Sequence, residues 1–335
     1  MKYGFGYLWL VIIAYFGFIL SACSIAETKV GNERKIDGYL YLSGDSTIGD
    51  LVKHQVIKDF AYKILPWDNK DYDMDMKMSE IDNLLPYHTH VDTGSVIAPL
   101  NYMIDEMNTG NVVFYDFYSE EEKQNDSSKE NTGLFFFRGE ENAPFAVINA
   151  GGGFSYVGSL HEGFPYALEI SKQGYNAFVL KYRTGSGQSA TEDLAAAISY
   201  IFENAEDFGV SKECYSVWGS SAGARMASNI GTYGVEEFGG DNVPNPTTVV
   251  TAYTGHTDYS ENDPPTFAVV GENDGIANPD TMENRIHALS AAGIDTEFHE
   301  YPGLEHGFGL GVGTSAEGWI ADAVAFWKKQ IVLGN

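Results

Sequence analysis

Two adjacent serines lie between glycines in the stretch Val217-Trp218-Gly219-Ser220-Ser221-Ala222-Gly223-Ala224. A serine that attacks from a tight strand-to-helix turn needs glycine two residues before it and two after. The turn forces a strained backbone angle and packs those flanking positions too closely for a Cβ. Gly219 and Gly223 hold these places around Ser221, whereas Ser220 would have Trp218 and Ala222. Ser221 is therefore the candidate nucleophile. Its flanks agree, since Cys214 to Trp218 reads as a short buried strand and the small residues with Met226 and Ile230 read as a helix.

A serine hydroxyl is a weak nucleophile at neutral pH. It needs a base, a group that orients the base, and donors aimed at the developing oxyanion. On such a turn the partners follow in the chain order Ser, then Asp or Glu, then His. Asp274 lies in a glycine-flanked loop, Gly271-Glu-Asn-Asp274-Gly275, after a predicted strand at 266–270. His306 lies in the glycine-rich stretch Gly303-Leu-Glu-His306-Gly307-Phe-Gly309, after a strand ending near Tyr301. Glu272 and Asp280 are alternative acids, and either could instead cap the helix that opens near Pro279. His299 falls within a strand and His287 within a helix, so both read as structural, partly exposed residues. For the oxyanion, the expected donors are the N–H groups of Gly152, Gly153 and Ala222. The triplet Gly151-Gly152-Gly153 alone also reads as a phosphate-binding turn, but Tyr156 stands where G-x-G-x-x-G needs its last glycine.

Alternating elements must carry these residues. Strands are expected at 112–118, 133–137, 145–149, 177–182, 214–218, 248–253, 266–270 and 296–301. Helices are expected at 159–172, 192–205, 221–232, 279–292 and 316–331. In the second helix Leu194, Ile198, Ile201 and Phe202 share one face. Continuous apolar strands suit a sheet covered on both faces. The fold class is α/β, a doubly wound, mostly parallel sheet flanked by helices, with its site at the carboxyl ends of the strands. Residues 51–65 give an amphipathic helical pattern, and 119–131 reads as a charged loop with nothing to bury.

The chain has 335 residues, 44% hydrophobic and 20% charged, with 20 Lys+Arg against 47 Asp+Glu. These are globular values. The net charge of −27 repels phosphate backbones and argues against a nucleic-acid partner. Residues 1–22 pair one lysine with an apolar run that closes on Leu20-Ser21-Ala22 before Cys23, the form of an export signal that is removed. That ending resembles a bacterial lipoprotein box, which implies lipidation at Cys23 and an envelope protein anchored to a membrane. The alternative is an uncleaved anchor, because Tyr3 to Ala22 is long enough to span a bilayer. The organisation read from this is a signal peptide at 1–22, a tether at 23–35, an N-terminal extension at 36–110 and a catalytic domain at 111–335. Two cysteines, Cys23 and Cys214, give no disulfide framework and no cysteine-based zinc site.

Three further clusters compete for attention. His88-Thr89-His90 would set two imidazoles on one side of a strand, a weak metal motif equally suited to a pocket lining. Asp71, Asp73 and Asp75 open like a calcium loop, but Met76 and Asp82 occupy the places of its glycine and glutamate. Arg225, in the helix after Ser221, is expected to pair with a buried carboxylate.

From about Val112 onward the chain resembles the α/β-hydrolase superfamily, specifically the acetyl esterase/lipase-like group that includes bacterial carbohydrate acetyl- and feruloyl-esterases. The resemblance rests on Asn149-Ala-Gly-Gly-Gly-Phe154, Gly174-Tyr-Asn-Ala-Phe-Val-Leu-Lys-Tyr-Arg183, the Val217–Ala224 stretch, Thr266–Ala277 and His306–Gly311. It departs from the H-G-G-G and G-D-S-A-G pattern of hormone-sensitive lipases, with Ala150 for the histidine and Ser220 for the aspartate. Both departures favour a carbohydrate ester over a lipid. The resemblance implies a serine esterase acting on acetyl or feruloyl groups through Ser221, His306 and Asp274, without metal or cofactor. Two rival readings are a peptidase of the same superfamily and a non-enzymatic envelope lipoprotein that binds through the fold. Residues 24–110 match no motif.

Overall fold

Apolar runs without polar alternation, such as Phe145-Ala146-Val147-Ile148 and Phe267-Ala268-Val269-Val270, are wholly buried, as a sheet covered on both faces requires. They belong to an eight-stranded sheet in the computed structural model, which describes Met1, residues 35–36 and residues 39–334. Two compact units divide the chain, Met1–Asn32 and Glu33–Asn335, and the sheet with its helices lies within the second. Cys23 and, Met1 aside, the leader at 1–22 lie outside the described residues. Among the described residues no helix is long and apolar enough to cross a membrane.

In chain order the strands are β1 (Phe114–Tyr115), β2 (Gly133–Phe137), β3 (Pro144–Asn149), β4 (Asn176–Lys181), β5 (Ser211–Ser220), β6 (Thr248–Ala252), β7 (Thr266–Gly271) and β8 (Thr296–Tyr301). In space they run β8-β7-β6-β5-β3-β4-β2-β1. The pairs β1–β2 and β2–β4 are antiparallel, and every other pair is parallel. The strand order therefore reverses between β3 and β5, and a crevice opens at the carboxyl ends beside such a reversal.

The period of two along each strand sorts side chains onto two faces. Phe135, Phe137, Ile148, Val179 and Trp218 join a cluster with α1 (Thr93–Asn108), α2 (Phe164–Lys172), α5 (Pro279–Ala291) and α6 (Trp319–Gly334). Leu134, Phe136, Val147, Phe178 and Val217 face the other way, against α3 (Gly187–Glu203) and α4 (Ala222–Tyr233). Leu42, Ile48, Leu51, Ile57 and Ile64 belong to the first of these clusters, so the region before residue 110 shares a core with the sheet.

Several local expectations need correction. Residues 51–65 form two short helices, Ile48–Lys53 and Ala61–Ile64, because Thr47 and Asp50 build a capping box and the first helix stops at His54. The expected strand at 112–118 shrinks to the two residues of β1. The expected loop at 119–131 is helical, Glu120–Asn125 followed by a 3₁₀ turn at Ser127–Asn131. Ser119 and Glu122 form a capping box and Asp126 caps the second turn, so local side-chain bonds substitute for burial there. The 159–172 helix begins with a π turn, Ser159–Gly163, before α2.

The turn at 65–68 lies over the end of β4. Lys181, its side chain 1% exposed, donates to the carbonyls of Leu65 and Pro66 and pairs with Asp68 at 2.9 Å. Burial lowers the Lys181 pKa while Asp68 opposes the shift. Truncating one partner of such a pair strands the other charge, at a cost of about 3–5 kcal/mol. Asp68→Ala should therefore lose stability of that order in chemical unfolding. The double variant Asp68→Ala/Lys181→Met should recover most of it.

Candidate active site

Strand β5 ends at Ser220, α4 begins at Ala222, and Ser221 alone makes the bend, with φ 51° and ψ −112°. This left-handed φ is unusual for a residue with a side chain, and such strain concentrates at sites of chemistry. A Cβ on Gly219 would sit 2.2 Å from the Gly223 carbonyl oxygen, and one on Gly223 would sit 1.9 Å from that of Asn149. Both glycines are thus sterically required. The Ser220 hydroxyl is buried and donates to the Tyr166 hydroxyl at 3.3 Å, away from the bend. Ser221 is the half-exposed member of the pair.

The Ser221 Oγ lies 2.9 Å from His306 Nε2, and His306 Nδ1 lies 2.7 Å from Asp274 Oδ2. Asp274 follows β7 and His306 follows β8, each in the loop beyond its strand. The second Asp274 oxygen accepts from the N–H groups of Ile276 and Ala277 at 2.8 and 2.7 Å, which fixes the carboxylate. A carboxylate only accepts, so Nδ1 carries the ring hydrogen and Nε2 presents its lone pair to Ser221. The alternatives lie elsewhere. Glu272 is exposed and accepts from Gly303 N–H, Asp280 is exposed on α5, His287 is exposed, and His299 pairs with Glu297 on β8.

Beyond β3 the chain turns through Gly151, Gly152 and Gly153. A Cβ on Gly151 would lie 2.9 Å from that of Ser221, so this loop abuts the bend. Gly152 and Gly153 adopt φ 135° and 61°, and among the described residues their N–H groups have no protein partner. Ala222 opens α4 directly after Ser221. The Gly151 N–H is already taken by Glu162 Oε2 at 2.6 Å.

No motif in the sequence points to Glu162, although its polar pair His161-Glu162 interrupts an apolar segment. It is fully buried, and its Oε1 accepts from the Tyr253 hydroxyl at 2.6 Å and lies 3.2 Å from His88 Nε2. His88 and His90 do not share a strand face. His88 is buried, with Nδ1 2.9 Å from the Tyr156 hydroxyl, while His90 is exposed with φ 53°. Thr89 between them donates through its N–H to the Gly307 carbonyl and through its hydroxyl to the His306 carbonyl, each at 2.9 Å. Arg225 is exposed rather than paired with a buried carboxylate; the buried partner of Asp263 is Arg285. Asp71, Asp73 and Asp75 are all exposed, and among the described residues no cluster of three ligating side chains could hold a metal ion.

Comparison with known proteins bears on this arrangement. The BD-FAE family model matches residues 137–253, from the last residue of β2 through β6. An α/β-hydrolase enzyme from a Medee basin deep-sea metagenome library is 23% identical, with a TM-score of 0.51 over 60% of this chain and 93% of that one. An acetyl ester-xyloside bifunctional hydrolase from Caldicellulosiruptor lactoaceticus superposes with a TM-score of 0.53 at 20% identity, covering 59% of this chain and 88% of its own. The chain has the α/β-hydrolase fold. An acetylxylan esterase from Xylanibacter ruminicola is 23% identical over 214 residues, 54% of this chain. The chain spans 44% of that relative's length.

Within this fold, burial and the groups around each side chain together set its electrostatics. Burial would push the Glu162 carboxyl up, but His88 and the Tyr253 hydroxyl outweigh it and hold the group down at about 2. Burial and the neighbouring His88 hold His161 down at about 4, and burial and Arg285 do the same for His256. An unfolded histidine titrates near 6.5, so between about pH 6.5 and 4 the unfolded chain binds protons that the native state refuses. Stability is therefore complete above that window and is lost as the pH falls through it, by on the order of 2–3 kcal/mol per ring. Urea unfolding midpoints measured from pH 7 to 4 should fall accordingly. The fall should be shallower in His161→Gln, whatever that variant's absolute stability.

Proposed function

We propose that the protein is a serine hydrolase of carboxylic esters and that Ser221, His306 and Asp274 are its catalytic residues. The observation that carries this reading is the continuous line of hydrogen bonds from Ser221 Oγ through the His306 ring to Asp274. As Ser221 attacks the ester carbonyl, its proton passes to His306 Nε2, and Asp274 stabilises the imidazolium that forms. The oxyanion takes hydrogen bonds from Gly152, Gly153 and Ala222 N–H. His306 returns the proton to the departing alcohol. Water, activated by the same ring, then frees the acid from the acyl-enzyme.

We infer further that the alcohol is a carbohydrate and the acyl group short or aromatic. The named activities of the acetylxylan esterase and the acetyl ester-xyloside hydrolase support this, as does the resemblance to acetyl- and feruloyl-esterases. Tyr87, 43% exposed, adds a physical argument. A Cβ on Gly153 would lie 3.1 Å from its ring, so an aromatic ring stands beside the loop of the expected oxyanion donors. Residues 111–335 would form the catalytic domain, with 36–110 as an extension that supplies this ring.

Purified protein should hydrolyse a chromogenic acetyl ester and release acetate from acetylated xylo-oligosaccharides. Ser221→Ala should lower kcat by a factor on the order of 10⁴ or more; equal turnover by both proteins would remove the reading. On sequence grounds alone we also propose export and lipid anchoring at Cys23. Radiolabelled palmitate should enter the wild-type chain in a bacterial host and not Cys23→Ala.

A further inference from the structure

Glu162 takes no part in the proton transfers above, yet directly or through one or two hydroxyls it reaches the glycine loop after β3, the loop of His306 and Ser220. Its Oε2 holds the Gly151 N–H, at the start of the loop that presents Gly152 and Gly153. Its Oε1 accepts from Tyr253, whose hydroxyl accepts from the Gly309 N–H at 3.3 Å, three residues past His306. The Tyr253 ring also stands edge-on to the His306 imidazole, with centroids 5.0 Å apart. On another side, the hydroxyls of Tyr166 and Tyr253 are 3.0 Å apart, and Ser220 donates to Tyr166. His88, against Oε1, precedes Thr89, which holds the His306 carbonyl.

The direction of these bonds requires a carboxylate at their end. Ionised, it only accepts, so Tyr253 must give it a hydrogen. Tyr253 must then receive one from Tyr166, and Tyr166 one from Ser220, beside the nucleophile. A glutamine has one acceptor oxygen and an NH₂ in place of the other. Either the Gly151 N–H or the Tyr253 O–H would face that NH₂ in a buried site, and buried mismatched donors are costly. We propose that Glu162 is a positioning residue: its carboxylate sets the oxyanion loop through Gly151 and keeps that loop in register with the His306 loop through Tyr253 and His88. The inference rests on the esterase reading and assigns a role to a residue outside the three proposed to do chemistry.

Glu162→Gln in the full chain tests it, with circular dichroism confirming the fold. Displacement of an oxyanion donor by a fraction of an ångström should lower kcat about 10- to 100-fold and leave KM within about threefold. The discriminating readout is affinity for phenylboronic acid, which forms an anionic tetrahedral adduct on a serine and needs the same donors. That affinity should fall in parallel with kcat/KM, which a loss confined to stability would not cause. Folded Glu162→Gln with wild-type kcat and boronate affinity, or with a change in KM alone, overturns the proposal while Ser221→Ala still reports on the reading beneath it. If Glu162→Gln does not fold, Tyr253→Phe decides by the same two measurements, since it removes one hydroxyl and must lower both. An inactive wild-type protein would remove the esterase reading and this inference together.

Discussion

The structure depends on two places where a methyl group cannot fit. With hydrogen at Gly219 and Gly223, the bend at Ser221 packs directly against the end of β3, where a Cβ on Gly223 would lie 1.9 Å from the Asn149 carbonyl oxygen. That approach brings Gly151 against Ser221 and so sets how closely the bend and the loop after β3 meet. The left-handed backbone at Ser221 costs on the order of 1–3 kcal/mol. It is held by the bond from Ser221 N–H to the Ala252 carbonyl at 2.8 Å and by the buried strands on either side. Chemistry here begins with packing, since the parallel strands must already be in register before the bend can be bent this way.

Much of this was legible in the sequence because it is written in short-range signals. Unbroken apolar runs gave the central strands, and apolar residues three and four apart gave the flanking helices. Glycine spacing chose between Ser220 and Ser221, and the chain order of Ser221, Asp274 and His306 anticipated their meeting in space. What escaped was either too local or too distant for those signals. The helical turns at 120–131 owe their form to caps at Ser119 and Asp126, which a reading by apolar periodicity passes over. Glu162, His88 and Tyr253 lie far apart in the chain and make sense only as one buried hydrogen-bonded group. A lone glutamate before an apolar helix carries no hint of the three donors it will receive.

The region before residue 110 shows the same limit from another side. It matched no motif, yet its apolar residues share one cluster with the sheet. Several of its contacts fall at the strand ends: Asp68 on Lys181, Tyr87 beside Gly153, His88 on Glu162, Thr89 on the loop of His306. These are contacts of fit rather than of pattern. A backbone carbonyl accepting from Thr89 leaves no trace in composition or periodicity, and neither does the space that Gly307 leaves for the backbone of Tyr87 and His88.

The bond from Thr89 to the His306 carbonyl joins residues 217 positions apart. Closing so long a loop is entropically slow and comes after local helices and turns have formed. During synthesis the serine thus emerges well before its imidazole, and the early residues that steady the imidazole must wait longest for their partner. Until the last strand has docked, Ser221 has no imidazole beside it, so the line of bonds from Ser221 to Asp274 closes only when the sheet is complete.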